Sequence, residues 1–331
     1  MKQLSSSRGL YIAGMLVILF VIAACGSMTD KPLEDGGSNT ALNAAQADAA
    51  AGTRVFTDDM GRDVEIPVSP QKVAVCEFSS VAITVGIQPI AVCDNDFLNS
   101  FIKPSLAGVD SIGDPPNVEK IVELSPDLMI FSSVYPEIYP DIMDKLEKVS
   151  PIVYIKFSDP IYDVFPKVAD VLGKKSLASG WIKDYEAERD VLRAKVKQSI
   201  GDESVSILLI EEGGLRIYLS TNFGGYVVRT ALQAKAVDKV QAEMNKDRWK
   251  NAVVVSQELL PEYVGDHLLL IVEDEEDYNE LLKSGLWQGL PAVKNGNVYL
   301  LDQDKYYLAD SITIRETMKE VADLLASGGK K

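Results

Sequence analysis

The chain contains a single histidine, and this limits the chemistry that its side chains can carry out. His267 is the one imidazole among 331 residues, so a histidine-rich metal site is excluded. A Ser-His-Asp triad would depend on that residue, and the chain has no Gly-x-Ser-x-Gly nucleophile motif. The run Gly173–Ser176 lacks the upstream glycine and the spacing of a phosphate-binding loop. These observations predict that the protein is neither an enzyme nor an ATPase.

The overall charge excludes another class of partner. Asp and Glu number 49 against 33 Lys and Arg, which gives a net charge of −16. Nucleic acids are bound by surfaces rich in Lys and Arg, so an acidic chain does not fit them. Three cysteines are too few for a disulfide scaffold. Cys76 and Cys93 end neighbouring apolar runs, and the sequence leaves open whether they are buried thiols or a pair.

A short pattern of polar residues occurs twice, once in each half of the chain. In the first copy, Asn117 is followed two places later by Glu119 and ten places later by an aspartate. In the second copy, Ser256 is followed at the same spacings by Glu258 and another aspartate. A glutamate in the first turn of a helix offsets the helix dipole, which is the purely structural explanation. The matched placement favours a two-point contact with a partner through Glu119 and Glu258.

Aromatic and basic residues follow several predicted strands, where parallel α/β lobes place their ligand-binding loops. Aromatic faces and a few hydrogen-bond donors recognise the outer surface of a bulky ligand. Core packing is the alternative for each aromatic side chain. Tyr306 and Tyr307 are adjacent, so both cannot point inward just past a strand. The candidate ligand-binding residues are Phe78, Tyr135, Lys156 and Phe157 in the first lobe, and Arg216, Tyr218, Phe223, Tyr226, Arg229, Tyr306 and Tyr307 in the second.

The elements that must position these residues alternate between strand and helix. Short runs rich in Val and Ile predict buried parallel strands, and their alternation with helical patterns predicts βαβ units. No proline interrupts Ser176–Ile200, whose apolar residues recur at helical spacing. The predicted fold class is α/β, with two Rossmann-like lobes of mainly parallel sheets, 54–175 and 201–329, bridged by one long helix at 176–200. The predicted strands are Lys72–Cys76, Pro89–Cys93, Asp127–Phe131, Pro151–Ile155, Val205–Ile210, Arg216–Leu219, His267–Val272 and Asn297–Leu301.

The first residues predict an export signal followed by a lipid anchor. Lys2 and Arg8 precede an apolar run that is too short to span a membrane but suits a signal peptide. The small residues before Cys25 are similar to the lipobox of bacterial lipoproteins, in which the cysteine is acylated and becomes the mature N-terminus. A plain secretory signal cut near Ala24 is the alternative. We predict a signal peptide at 1–24, a flexible tether at 25–53 and an extracytoplasmic, membrane-anchored protein.

Motifs spread over nearly all of the chain after residue 54 have the order and spacing of one family. They are Arg54–Val73, Ile112–Asp114 running into Glu119, Leu124–Leu128, Leu286-Trp287, Leu290–Val293 and Gly296–Tyr299. Together they resemble the substrate-binding lipoproteins of iron-siderophore ABC importers. The patterns from Tyr218 to Gly224 and Val255–Glu258 are most similar to the ferric hydroxamate binders of Gram-positive surfaces.

This resemblance implies a ligand cleft between two rigid lobes and a receptor that delivers a ferric siderophore to an ABC permease dimer with a separate ATPase. In that family an acidic residue on each lobe docks arginines of the permease, and Glu119 and Glu258 occupy the matching positions. Iron arrives already wrapped in the oxygens of the siderophore, so the resemblance implies no cofactor and no metal ligand in the protein. We expect a monomer that is held at the membrane through Cys25.

One position departs from the resemblance and leaves the identity of the siderophore open. In similar hydroxamate binders an arginine directly follows the aromatic-glycine pair and touches the iron-coordinating oxygens, whereas this chain has Gly225. Arg216 and Arg229 are the candidates to replace it. The missing arginine and the acidity of the chain favour a neutral or cationic hydroxamate complex. The alternatives within this architecture are a corrinoid (vitamin B12) receptor and a receptor for ferric citrate or a ferric catecholate.

Overall fold

The structure is a computed structural model that describes residues 52–156, 160–221, 223–247, 250–306 and 309–328. The predicted signal peptide, Cys25 and nearly all of the predicted tether lie outside these residues, as do Phe157 and Tyr307. Thr53, which the sequence assigned to the tether, instead begins the first strand. Within the described ranges, no helix combines the length and the apolar character that crossing a lipid bilayer requires.

Twelve strands are present among the described residues, and ten of them form two five-stranded sheets. The remaining two pair with each other as an antiparallel hairpin that precedes the first lobe. The strands are β1 (Thr53–Thr57), β2 (Asp63–Pro67), β3 (Val73–Val75), β4 (Ala91–Val92), β5 (Asp110–Ser111), β6 (Leu128–Ser132), β7 (Ile152–Ile155), β8 (Val205–Glu211), β9 (Gly214–Tyr218), β10 (Ala252–Val255), β11 (His267–Val272) and β12 (Val298–Leu300).

Helices connect the strands and cover the sheets. The α-helices are α1 (Ser79–Thr84), α2 (Val118–Leu124), α3 (Tyr135–Ile138), α4 (Pro140–Leu146), α5 (Phe165–Val171), α6 (Lys175–Ile200), α7 (Asp238–Lys246), α8 (Leu260–Tyr263), α9 (Glu275–Leu281), α10 (Gly285–Gly289), α11 (Pro291–Lys294), α12 (Gln303–Tyr306) and α13 (Thr313–Ser327). Short 3₁₀ turns lie at Asp94–Leu98, Lys103–Leu106 and Gln257–Leu259, and π-helical turns lie at Pro160–Val164 and Tyr226–Ala231.

The two sheets differ in strand direction. In the N-terminal sheet the order is β5-β4-β3-β6-β7 and every neighbouring pair is parallel. In the C-terminal sheet the order is β10-β9-β8-β11-β12, with β8, β11 and β12 parallel and β9 antiparallel to both of its neighbours. A two-residue turn joins β8 to β9, and its Gly213 adopts a φ of 67°, which glycine tolerates without steric cost.

The 26-residue helix α6 joins the two lobes through its apolar face. Ala178 packs into the N-terminal core, whereas Tyr185 and Val196 pack into the C-terminal core. Trp181 contacts both cores, and its ring stacks against Phe165 at 4.4 Å and against Tyr185 at 5.6 Å between ring centroids. This helix is therefore part of the packing of both lobes and not only a linker between them.

The eight strands predicted from the sequence are all found, with ends that agree within two residues, and the predicted bridging helix is found at Lys175–Ile200. The sequence did not predict β1 and β2, which form the hairpin, nor the short edge strands β5 and β10. The hairpin was missed because alternate residues of β1 and β2 are exposed and their inward residues are only partly apolar. An exposed two-stranded ribbon does not produce the apolar run by which buried strands are recognised.

Candidate functional site

The two lobes meet on the side of each sheet where the carboxyl ends of its parallel strands lie, called here the carboxyl edge. Asn99 lies beyond the carboxyl end of β4, and Asp310 and Thr313 lie beyond that of β12. The Asn99 Nδ2 donates hydrogen bonds to Asp310 Oδ2 at 2.6 Å and to Thr313 Oγ1 at 2.8 Å. Ligands of parallel α/β sheets bind outside the carboxyl ends of the strands, so the space between these two edges is the candidate site.

A disulfide joins the loops that follow two adjacent strands of the N-terminal sheet. Cys76 follows β3, Cys93 follows β4, and their Cα atoms are 5.0 Å apart. The sequence left open whether these cysteines are thiols or a pair, and the structure has them paired. Glu77, next to Cys76, has a φ of 73°, an uncommon conformation for a residue with a side chain. The disulfide therefore anchors a strained backbone position at the edge of the candidate site.

The carboxylate of Asp96 holds this backbone in place. It accepts hydrogen bonds from the N–H of Glu77 at 2.9 Å and the N–H of Ser79 at 3.3 Å, and from the Ser79 hydroxyl. Burial raises the pKa of Asp96 to about 6, although these hydrogen bonds to the charged form act in the opposite direction. Asp96 is therefore an internal support for the loop that carries Glu77.

Glu77 and Asp114 bring two further carboxylates to this edge of the N-terminal sheet. Burial raises the pKa of the half-buried Glu77, the Ser132 hydroxyl opposes this shift, and the negative charges of Asp96 and Asp114 add to it. Asp114 is exposed and accepts a hydrogen bond from Asn95 Nδ2 at 3.2 Å. Glu77 and Asp114 thus give this edge of the N-terminal lobe a negative charge that reaches the surface.

Aromatic side chains of the C-terminal lobe form a buried group between the sheet, α6 and α13. Tyr218 and Phe223 have ring centroids 4.5 Å apart, and Tyr226 and Tyr306 belong to the same core. Gly224, with a φ of 81°, lies so close to the Tyr306 ring that a Cβ there would stand 3.3 Å from Cδ1. The glycine allows the ring to pack against the backbone.

Gly225 also has a structural explanation. A Cβ at this position would lie 3.1 Å from the carbonyl carbon of Ser220 and 3.2 Å from the carbonyl oxygen of Leu219. Both contacts are with backbone, which cannot move aside as a flexible side chain does. An arginine at Gly225 would therefore require the backbone at Leu219 and Ser220 to shift by a few tenths of an ångström.

The repeated polar pattern has the same structural basis in both lobes. Asn117 caps α2, and Asp127, at the end of the first copy, accepts hydrogen bonds from the N–H groups of Gln71 and Lys72 just before β3. Asp266, at the end of the second copy, accepts hydrogen bonds from the N–H and the hydroxyl of Ser204 just before β8. In each lobe this aspartate therefore binds the start of the central strand.

The two glutamates of this pattern are exposed on equivalent elements. Glu119 lies in the first turn of α2, and Glu258 lies in the 3₁₀ turn that leads into α8. A hydrogen bond from the Ser256 hydroxyl lowers the pKa of Glu258, which keeps this carboxyl group ionised. Both elements start from the carboxyl edge of their sheet, since each follows a strand that ends there.

A family model described as periplasmic binding protein matches residues 94–305. The chain belongs to the periplasmic binding protein family. Over 318 residues it is 29% identical to the iron(3+)-hydroxamate-binding protein FhuD of Bacillus subtilis, with 94% of this chain and 95% of that protein covered. It is 27% identical over 337 residues to YxeB, also named an iron(3+)-hydroxamate-binding protein of B. subtilis, with 96% and 97% covered.

A crystal structure shares the fold of this binding protein. It is a B. subtilis protein of the FhuD fold family, described as a periplasmic binding protein component of a Fep/Fec-like ferrichrome ABC transporter. The TM-score is 0.71 at 26% identity, and the match covers 82% of this chain and 99% of that one. The predicted fold class, two α/β lobes bridged by one helix, is thereby confirmed.

Some residues predicted to contact the ligand of the binding protein are placed elsewhere. Phe78 and Tyr306 are each 1% exposed and pack into the cores of their lobes. Tyr306 is the last residue of helix α12 and does not directly follow a strand. The rule that successive side chains of a strand point to opposite faces of the sheet therefore does not apply to Tyr306. Tyr218, Phe223 and Tyr226 are also buried in the C-terminal core.

Arg229, one of the two candidates to replace the missing arginine, lies away from the junction between the lobes. Its guanidinium donates hydrogen bonds to the carbonyl oxygens of Val205, Ala234 and Lys235. Val205 begins β8, so these bonds hold the side chain at the amino edge of the sheet, away from the junction between the lobes. Burial lowers the pKa of Arg229 to about 10, which still leaves it positively charged at neutral pH.

Arg216 and Lys156 keep an accessible position in the binding protein. Arg216 lies on β9 opposite Leu209, near the carboxyl end of β8, and its Nη2 is 2.6 Å from Glu211 Oε1. Lys156 follows β7 and is exposed, while its backbone N–H donates to Asp59 Oδ2 at 2.8 Å.

The carboxylates of the N-terminal edge were not among the predicted contact residues. Glu77, Asp96 and Asp114 come within four residues of the ends of β3, β4 and β5, and this position after a strand is the sequence signal that could have identified them. Tyr135, which was predicted, is buried beside them. Across the described ranges, no three His, Cys, Asp or Glu side chains are grouped in a way that could hold a metal ion.

Proposed function

We propose that this protein is a lipid-anchored receptor that binds a ferric siderophore of the hydroxamate class and delivers it to an ABC permease. The observation that carries this proposal is similarity over nearly the whole chain to two proteins named iron(3+)-hydroxamate-binding proteins, on a shared two-lobe fold. The ligand is bound and released unchanged, so the function requires no catalytic residue.

The junction between the lobes suits this task. A ferric siderophore is bulky and already chelated, so its receptor recognises an outer surface through shape, hydrogen bonds and charge. Loops from both carboxyl edges surround the junction, and Asn99 joins them across it. We include Arg216 and Lys156 as contact residues, because both are accessible and basic.

Delivery requires a surface outside the cleft. Glu119 and Glu258 provide one exposed carboxylate on each lobe at equivalent positions, which matches a partner made of two similar subunits. The crystal structure compared above is of a component of an ABC transporter, which supports a permease with its own ATPase as the partner. Acylation at Cys25 would hold the receptor at the membrane.

Equilibrium dialysis with ⁵⁵Fe-labelled complexes tests the ligand. The full chain in detergent is dialysed against a ferric trihydroxamate, ferric citrate and a ferric catecholate, with unlabelled cyanocobalamin followed by absorbance. We expect retention of the trihydroxamate with a dissociation constant in the micromolar range or below, which is about −8 kcal/mol or stronger. The binding should saturate at one complex per chain.

Two controls distinguish the outcomes. The iron-free trihydroxamate at the same concentration shows whether the chelated shape is required, because the free ligand lacks the compact outer surface. Retention of citrate, a catecholate or cyanocobalamin in place of the trihydroxamate would contradict the hydroxamate assignment and select one of the alternatives. Retention of none of them would overturn the proposed function.

A further inference from the structure

Three neighbouring strands of the N-terminal sheet each bring one carboxylate to the same edge. Glu77 follows β3, Asp96 follows β4 and Asp114 follows β5, and these strands are adjacent and parallel. The charges that act on Glu77 are those of the other two carboxylates. Asp310 of the C-terminal lobe adds a further negative charge near Asp96. In the described part of the chain, no Lys or Arg pairs with the carboxylates of the N-terminal edge.

The three carboxylates are not equivalent. Asp96 is buried, and its oxygens are occupied by the backbone of Glu77 and Ser79 and by the Ser79 hydroxyl. Glu77 is half-buried, with the Ser132 hydroxyl beside it, and Asp114 is exposed. A ligand can therefore reach Glu77 and Asp114. Asp96 instead positions the backbone of Glu77 and contributes a negative charge from within the lobe.

A buried hydroxyl points to a missing partner at the same place. Tyr135 is 3% exposed, and its hydroxyl oxygen has no hydrogen-bond partner among the described residues. The charges that act on this hydroxyl are those of Glu77, Asp114 and Asp96. Buried polar groups in native proteins are nearly always hydrogen-bonded, so an unpaired one beside accessible carboxylates indicates that a ligand group completes the site.

We infer that Glu77, Asp114 and Tyr135 form a subsite for a protonated primary amine carried by the ferric siderophore. This inference rests on the function proposed above. An ammonium group has three N–H donors and no acceptor, and the subsite offers two carboxylates and one phenol oxygen as acceptors. Its positive charge also relieves the repulsion between the carboxylates, whereas a siderophore that presents carboxylates at this edge is repelled.

A matched pair of ligands tests the subsite. Ferrioxamine B is a linear ferric trihydroxamate that ends in a primary amine, and its N-acetyl derivative has the same iron centre without the positive charge. We expect the wild-type chain to bind ferrioxamine B about 10-fold more tightly in equilibrium dialysis, near the lower end of the contribution of a charged hydrogen bond. In Glu77→Gln the ratio should fall to about one, with affinity for the acetylated ligand unchanged.

Further variants separate recognition from folding. Tyr135→Phe should reduce affinity for the amine ligand about threefold and leave the acetylated ligand unaffected, because only one hydroxyl is lost. Glu123→Gln removes an exposed glutamate of α2 outside the subsite and should keep the 10-fold ratio. Glu77→Gln removes a repelled carboxylate, so its melting temperature should equal or exceed that of the wild type.

The outcomes distinguish the subsite from the function on which it rests. Equal affinities of the wild type for the two ferric ligands, with no change in Glu77→Gln, would overturn the amine subsite and leave ferric hydroxamate binding in place. A preference that persists in both Glu77→Gln and Tyr135→Phe would also overturn it. If neither ligand is retained, the proposed function fails, and the inference fails with it.

Discussion

Loss of the disulfide between Cys76 and Cys93 should destabilise the N-terminal lobe by a calculable amount. The two cysteines are 17 residues apart. Closing a loop of that length lowers the entropy of the unfolded chain, and this raises the free energy of unfolding by about 3 kcal/mol at 25 °C. Both side chains are fully buried, so Cys76→Ala/Cys93→Ala also removes two packed sulfur atoms. The resulting cavity adds about 1 kcal/mol, which gives a loss of about 4 kcal/mol for the double variant.

Urea unfolding followed by circular dichroism, with and without dithiothreitol, measures both contributions. Reduction of the wild type keeps the sulfur atoms in place, so its free energy of unfolding should fall by only about 3 kcal/mol. Dithiothreitol should have no further effect on the double alanine variant. The matched control is Cys25→Ala, which leaves the pair intact and should unfold like the wild type in both conditions.

The disulfide should also affect ligand preference, because Cys76 directly precedes Glu77 and Cys93 lies three residues before Asp96. Without the link, the loop is free to leave the positive φ of Glu77, and the proposed subsite loses its geometry. The 10-fold preference for ferrioxamine B over its acetylated form should then decrease. Identical urea midpoints for oxidised, reduced and double-alanine protein would refute this reasoning.

Three other perturbations follow from contacts described above. Arg229→Ala should lower the free energy of unfolding by about 3 kcal/mol, because three carbonyl oxygens lose their donor, while ⁵⁵Fe-ligand affinity stays the same; a stable variant with weak binding would contradict this. Glu119→Ala and Glu258→Ala should retain ligand affinity but reduce cellular uptake of the ⁵⁵Fe complex, most strongly together, and normal uptake in the double variant would exclude the docking role. The carboxyl ¹³C resonance of Asp96 should titrate near pH 6. This pKa lies above the ordinary value of 3.8, so protonation of Asp96 contributes about 3 kcal/mol to the free energy of unfolding. The contribution is fully present below about pH 4 and is lost as the pH rises through 6. A titration midpoint of the Asp96 resonance below 4.5 would contradict this prediction.

The sequence predicted the strands with continuous apolar runs and missed several strands that are exposed or very short. His267–Val272 is a continuous apolar run that lies between two parallel neighbours, and its predicted bounds match those of β11. In contrast, β10 forms the edge of its sheet, with Val254 exposed between buried neighbours. The order of strands and the antiparallel direction of β9 depend on tertiary packing, which no local pattern specifies.

The candidate site was predictable in position but not in composition. Glu77 and Asp114 follow strand ends, yet their approach to Tyr135 results from the packing of separate elements and leaves no trace in residue spacing. Arg229 was a candidate contact residue, but it lies in a π-helical segment, and backbone carbonyls at the amino edge of the sheet hold its guanidinium. The spacing of residues in the sequence predicts which side chains share a face of a helix or strand. It does not predict which hydrogen-bond partner each side chain has.

The single bridging helix has a consequence for the kinetics of cargo exchange. Helix α6 contains no proline, its one glycine is Gly180 near its start, and Trp181 fixes it to both cores. A sharp bend would break backbone hydrogen bonds of this helix. Asn99 joins the lobes again at their carboxyl edges. A ligand held between the lobes would therefore enter and leave through movements of loops and side chains, without a large change in the angle between the lobes.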